Sequence, residues 1–158
     1  MLRASRIEKL LRERELKFFR ASDGEPRWLI PFQDGHLSIM LAEEGTNLLF
    51  RTSAIVVLEK LSLEVRAGWW QAAMAENDRM ILGRWVGYDA IHFEVAFSLA
   101  GDAKLTNTQF LLALGISIGS LGNGRERLEE TMAELPSTQL SIDALGIFSS
   151  RLKRSENN

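Results

Sequence analysis

The chain has 158 residues, of which 46% are apolar and 25% are charged, and its net charge is −2 at pH 7. This is the composition of an ordinary globular protein rather than of a disordered or fibrous one. The sequence contains no cysteine, which excludes disulfides, a thiolate nucleophile and cysteine-based metal sites. It also lacks an apolar signal core and the run of about 18 apolar residues that spans a bilayer, so we expect a cytoplasmic protein with no membrane partner.

The first predicted element is a helix over residues 3–15, with Ile7, Leu10 and Leu11 on its buried side. Residues 1–20 carry seven Lys or Arg against three Glu. A basic helix is one signature of nucleic-acid binding, but this stretch lacks the interleaved aromatic residues on which bases stack. We interpret its charges as a solvated face with ion pairs and expect no nucleic-acid partner.

Residues 27–41 are predicted to form a β-hairpin, because Asp34-Gly35 is a preferred two-residue turn pair. Proline cannot donate a hydrogen bond to a neighbouring strand, so Pro31 should be exposed or lie at a sheet edge. With this turn, six large apolar side chains fall on one face in the pairs Phe32 with Leu37, Ile30 with Ile39 and Trp28 with Leu41.

The middle of the chain continues with a third strand and a second helix. The strand is predicted over residues 47–52, and residues 54–63 are apolar without a clear period. The helix is predicted over residues 64–77, with Val65, Trp69 and Ala72 on one side.

Two further strands are predicted over residues 78–87 and 91–99. The second alternates large apolar residues at odd positions with His, Glu, Ala and Ser at even positions, so its odd face should be core. Two registers are open for this pair. A two-residue turn at Tyr88-Asp89 places Trp85 beside His92, and one residue more in the loop places Arg84 opposite Glu94.

A long helix follows, starting at the capping box formed by Thr106 and Gln109 and running to about residue 135. Gly115, Gly119 and Gly122 recur at helical spacing within it. Either these glycines fray the helix, or another element packs closely on the groove that they form.

These elements predict an α+β fold with the order α-β-β-β-α-β-β-α, in which an antiparallel sheet packs against helices. Residues 1–135 are expected to form a single domain. Residues 136–158 are expected to add a C-terminal helix and a polar tail.

The sequence contains no recognisable catalytic motif. The chain has two histidines, His36 and His92, and contains neither a Gly-x-Ser-x-Gly elbow nor a phosphate-binding Gly-x-x-x-x-Gly-Lys loop. His92 and Glu94 share one strand face, but no third residue has recognisable metal-ligand spacing. We therefore predict no catalytic residues, no cofactor and no metal.

The segment Ala75-Glu76-Asn77-Asp78-Arg79, the strand pair through Gly83 and the Leu105-Thr106 start of a long apolar helix resemble the YbjN-like family. These are small bacterial proteins described as sensory-transduction regulators, and their fold resembles that of type III secretion chaperones. The resemblance is best over residues 64–132 and includes an Asn before the fourth strand, here Asn77. It implies a dimeric, cytoplasmic binding or chaperone-like module, and the family offers no catalytic residues to carry over.

We accordingly expect a non-enzymatic homodimer that binds an unidentified protein partner. Large apolar side chains remain on the outer face of the fourth and fifth strands in both registers. A contiguous apolar patch usually marks an interface or a layer that covers it, and the second helix is the alternative cover. The alternative is a small-molecule sensor or an unrecognised enzyme that uses the polar strand face around His92 and Glu94, with Arg84 nearby. The expected interface residues lie on this outer face or on the second helix: Trp69, Trp70, Leu82, Arg84, Trp85, Val86, His92 and Glu94.

Overall fold

A computed structural model of the protein describes residues 2–21, 24–42, 45–99 and 104–135. The C-terminal helix and polar tail expected over residues 136–158 lie outside these ranges. The described helices are α1 (Ala4–Glu13), α2 (Leu63–Asn77) and α3 (Asn107–Glu134). The described strands are β1 (Phe19–Ala21), β2 (Arg27–Phe32), β3 (Gly35–Ala42), β4 (Asn47–Thr52), β5 (Val56–Val57), β6 (Arg84–Gly87) and β7 (Ala90–Ser98).

The strands form one antiparallel sheet. From one side, the strands run β1, β2, β3, β4 and β7. Strands β4 and β5 both pair with one edge of β7, at different residues along it. Strand β6 pairs with the opposite edge of β7. The α+β class and the antiparallel sheet are therefore confirmed. The sequence pattern left β1 and β5 unassigned, because strands of three and two residues are too short for a period of two to show.

One face of the sheet carries the hydrophobic core. Ile91, Phe93 and Val95 of β7 are buried on this face, as their alternation predicted. Helix α3 packs against the same face, where the rings of Phe110 and Phe50 meet edge-on at 5.2 Å between centroids. Helix α1 lies on this side too, since Glu8 accepts a hydrogen bond from the indole of Trp28 at 3.3 Å.

Helix α2 packs beside α3 and is joined to it by a buried carboxylate. Glu76 is 4% exposed and accepts a hydrogen bond from the Thr131 hydroxyl at 2.9 Å. The guanidinium of Arg127 forms an ion pair with the same carboxylate. The side assignment of α2 was partly wrong, because Trp69 and Ala72 are buried but Val65 is 45% exposed.

The β2–β3 hairpin has a different register from the one predicted. Its turn residues are Gln33 and Asp34, so that Phe32 pairs with Gly35. A Cβ atom at Gly35 would lie 2.2 Å from the Ser53 hydroxyl oxygen, which makes glycine necessary at this close approach. The observed pairing of β2 with β3 is shifted by two residues from the predicted pairing. Because side chains alternate between faces with a period of two, the apolar side chains stay on one common face. Pro31 is exposed beyond the end of β1, as expected.

Strand β6 is shorter than the predicted strand over residues 78–87. Gly83 has a φ of +83°, and a Cβ atom there would lie 2.3 Å from the Phe93 ring. The chain therefore turns at Gly83, and only the four residues of β6 pair with β7. Ile81, which precedes this turn, is fully exposed.

Helix α3 is continuous through its glycines and begins at the predicted capping box of Thr106 and Gln109. The glycines therefore do not fray it. Nothing in the described ranges lies within 4 Å of a Cβ atom built at Gly115, Gly119 or Gly122, so no described element packs into this groove either.

Replacing Gly119 by alanine should stabilise the protein, because the site is open and alanine has the higher helix propensity. We expect the free energy of unfolding to rise by about 1 kcal/mol. Gly124→Ala is the matched control, since its Cβ atom would lie 2.6 Å from the Trp85 ring and should destabilise by about 1–3 kcal/mol. Urea unfolding of both variants measures this. A destabilised Gly119→Ala would show that another molecule packs on this face.

Candidate interaction surface

The second face of the sheet, which we call the outer face, carries the polar residues of β7. Arg84 of β6 lies opposite Glu94, and Val86 lies opposite His92. Of the two registers left open by the sequence, the one with the longer loop is therefore the one that forms. It places Arg84, Val86, His92 and Glu94 of the expected interface together on the outer face.

Glu94 is buried within this face and has a specific partner. Its Oε1 atom lies 2.9 Å from Nη2 of Arg84, and the residue is 8% exposed. Arg51 of β4 is its partner residue on the other neighbouring strand. A carboxylate between two arginine-bearing strands is favoured by cross-strand charge pairing. The ion pair joins β6 to β7.

His92 is half-buried, and its ring nitrogen Nδ1 lies 2.9 Å from the carbonyl oxygen of Thr52. A carbonyl only accepts, so Nδ1 carries the proton in this hydrogen bond. The hydroxyl oxygen of Thr52 accepts from the Phe93 N–H, also at 2.9 Å. Thr52 thus attaches the end of β4 to β7. His92 and Glu94 each have a partner from a neighbouring strand, which accounts structurally for both residues.

The free edge of β6 is closed by the side chain of Asn77, the last residue of α2. Its Nδ2 donates to the carbonyl oxygen of Trp85 at 3.0 Å, and its Oδ1 accepts from the Trp85 N–H at 2.6 Å. The amide takes the place of a neighbouring strand and removes unpaired groups that invite edge-to-edge pairing. The Asn that carried the family resemblance therefore has a structural role.

Trp69 and Trp85 of the expected interface face the core of their own chain. Trp85 is 2% exposed and packs edge-on against Phe93, with 5.1 Å between ring centroids. Trp69 is 5% exposed, and the guanidinium of Arg125 lies 5.8 Å from its ring. Neither side chain offers surface to a partner. Trp85 would lie on the outer face only in the register with the two-residue turn, and that register does not form.

Trp70 and Leu82 are half-buried at the surface and remain available for an interface. Leu82 precedes the turn at Gly83, and Trp70 lies on α2, whose last residue contacts the β6 edge.

An open cleft of about 470 Å³ is found on α1, lined by Leu2, Arg3, Ser5, Arg6 and Lys9. It includes none of the residues of the expected interface or of the His92 and Glu94 pair. Within the described ranges, no group of three or more His, Asp or Glu side chains is placed to hold a metal ion. None of the described helices is both long enough and apolar enough to cross a bilayer.

No family model and no curated protein matches the sequence. Among solved structures, the crystal structure of YbjN from E. coli, described as "a putative transcription regulator", matches with a TM-score of 0.54 and 18% identity. The match covers 85% of this chain and 97% of that one. The chain has a YbjN-like fold. The resemblance drawn from the residues is thereby confirmed for the fold.

The YbjN-like fold of this chain also exposes an apolar surface that the sequence interpretation missed. Leu29, Met40 and Leu49 project from three adjacent strands onto the outer face and are half-buried there. The sequence could have indicated this surface. In a strand with one buried face, alternating positions are usually polar, and each of these three residues is an apolar side chain at such a position. With exposed Phe19 and the flanking Arg27 and Arg51, we call these residues the sheet patch.

Proposed function

We propose that the protein is a non-enzymatic, protein-binding module of chaperone-like or regulatory type, which acts as a homodimer in the cytoplasm. The observation that carries this proposal is the outer face of the sheet, where apolar side chains meet solvent on a fold shared with a protein described as a regulator. Saturable binding of a purified polypeptide, without turnover, is the expected behaviour of such a module.

The β6 end of the sheet is the surface proposed for the dimer. The apolar residues assigned to it are Trp70, Leu82 and Val86, which are half-buried. Because Asn77 already bonds the Trp85 backbone, a second copy would pack through side chains and would not extend the sheet at that position. A two-fold symmetric contact of this kind uses the same patch on both copies.

The sensor or enzyme alternative has weaker support. It relies on His92 and Glu94 acting together, and each of them has a structural partner from a neighbouring strand. A general acid or base must reach a substrate atom within hydrogen-bond distance. The cleft on α1 offers such a space away from both residues.

Sedimentation at micromolar concentration tests the dimer. We expect the mass of two chains for the unchanged protein, and a shift toward one chain for Val86→Asp and for Trp70→Asp with an unchanged far-ultraviolet spectrum. The physical reason is that a buried, unpaired carboxylate opposes association. Leu112→Asp is the control, because Leu112 is 53% exposed on α3 away from this edge. A protein with the mass of one chain would refute the dimer, and dissociation by Leu112→Asp alone would move the interface to α3.

A further inference from the structure

The apolar residues of the sheet patch lie on three adjacent strands, β2, β3 and β4, where Leu29 pairs with Ser38 and lies diagonally from Met40. Met40 pairs with Arg27 on one side and with Leu49 on the other, and Leu29 lies two residues from Arg27 on the same face. Neighbouring strands are about 4.8 Å apart, so the patch extends about 10 Å across the sheet. Phe19, which pairs with Leu29 and is 67% exposed, lengthens it by one strand.

Both charged residues of the sheet patch are arginines. Arg27 is exposed beside Met40, and Arg51 follows Leu49 on the outward side of β4. Glu94 is the one carboxylate on the outer face of the described strands, and it is ion-paired with Arg84. Arg51 lies opposite this carboxylate in the strand pairing, but among the described residues neither Arg27 nor Arg51 forms a direct ion pair. The patch therefore combines apolar side chains with two arginines.

We propose that the sheet patch binds an acidic polypeptide segment of a partner protein, in which carboxylates and large apolar residues alternate. This inference rests on the proposed function and specifies the chemistry of its partner. The apolar side chains of the segment contact Leu29, Met40 and Leu49, and its carboxylates pair with Arg27 and Arg51. Apolar contact contributes most of the affinity, and charge complementarity contributes selectivity and association rate.

Charge argues against a second copy as the occupant of the patch. Two sheet patches in contact would bring Arg27 and Arg51 of both copies together, and like charges in an interface are unfavourable. Nucleic acid fits less well than an acidic peptide, because proteins that bind single strands stack bases on several aromatic side chains. The patch offers one aromatic residue, Phe19, beside three aliphatic ones.

The test is selection from a library of random displayed peptides of about twelve residues, long enough to cross the sheet, using the full chain. Enriched peptides should be acidic and apolar, and their binding should weaken as sodium chloride screens the charges. Met40→Glu and Arg27→Glu should each reduce affinity about tenfold or more, as expected for central interface residues. The controls are Met74→Glu and Lys60→Glu, which make the same charge changes at exposed sites elsewhere and should leave affinity unchanged.

Three results would overturn the inference: enriched peptides that are neutral or basic, affinities that Met40→Glu and Arg27→Glu leave unchanged, or competition by a DNA oligonucleotide. A dimer that Met40→Glu dissociates would also overturn it, because the patch would then be covered by a second copy. Failure of the proposed function itself is distinguishable, since in that case no selected peptide would bind the full chain saturably.

Discussion

Phe93→Ala is expected to lower the free energy of unfolding by about 3–5 kcal/mol, as for other fully buried phenylalanines. Phe93 is 1% exposed at the centre of β7, where its ring packs edge-on against Trp85. It also lies within van der Waals reach of Gly83, where the chain turns into β6. Truncation removes apolar contacts from both neighbours and leaves a cavity that the surrounding sheet and helices cannot fill. Denaturant unfolding measures the loss.

Ser98→Ala is the control, because Ser98 is exposed on the outer face at the end of the same strand. Its free energy of unfolding should stay within about 0.5 kcal/mol of the unchanged protein. Phe97 is an intermediate case. The alternation places it on the core face, but it is only half-buried there, so Phe97→Ala should cost less than Phe93→Ala. Equal tolerance at Phe93 and Ser98 would refute the assignment of the two faces.

Asn77→Ala is expected to destabilise the protein by about 2 kcal/mol or more and to promote self-association. The substitution removes both hydrogen bonds to the Trp85 backbone, and each unpaired buried group costs about 1–3 kcal/mol. Because Trp85 lies on an edge strand, the freed N–H and carbonyl groups also become available to another chain. Urea unfolding measures the first effect, and light scattering at increasing protein concentration measures the second.

Asn123→Ala provides the matched control, since Asn123 is exposed on α3. It should be neutral or slightly stabilising, because alanine has the higher helix propensity. If Asn77→Ala were as stable and as monodisperse as Asn123→Ala, water would be replacing the amide at no cost. The proposed closure of the β6 edge would then be wrong.

The sequence by itself determined which side chains enter the core. Alternation along β2, β3 and β7 identified their buried faces, and helical spacing identified Ile7, Leu10 and Leu11 of α1. The capping box at Thr106 set the start of α3. These features are local, because burial of an apolar stripe and satisfaction of the first helical N–H groups depend on residues a few positions apart.

Only the tertiary structure decided the registers and the partners. The β2–β3 turn shifts because Gly35 must pass close to Ser53, which lies beyond the next strand in the sequence. The two β6–β7 registers were both compatible with the pattern, and the longer loop places the Trp85 ring against Phe93 and gives Glu94 its arginine. Such contacts join residues that the sequence pattern cannot pair, since a period of two fixes the face of a side chain and not its neighbour.

The residues of the candidate surface were also predicted only in part from the sequence. One of the two registers left open by the sequence placed Arg84, Val86, His92 and Glu94 on one face. The sequence could not show that Trp69 and Trp85 are buried within their own chain. It also gave no reason to group Leu29 with Met40 and Leu49, which become neighbours only through strand pairing. Apolar residues at isolated outward positions are common and carry no meaning singly. They form a patch here because strand pairing places them on three adjacent strands of the outer face, with Met40 opposite Leu49 and diagonal to Leu29.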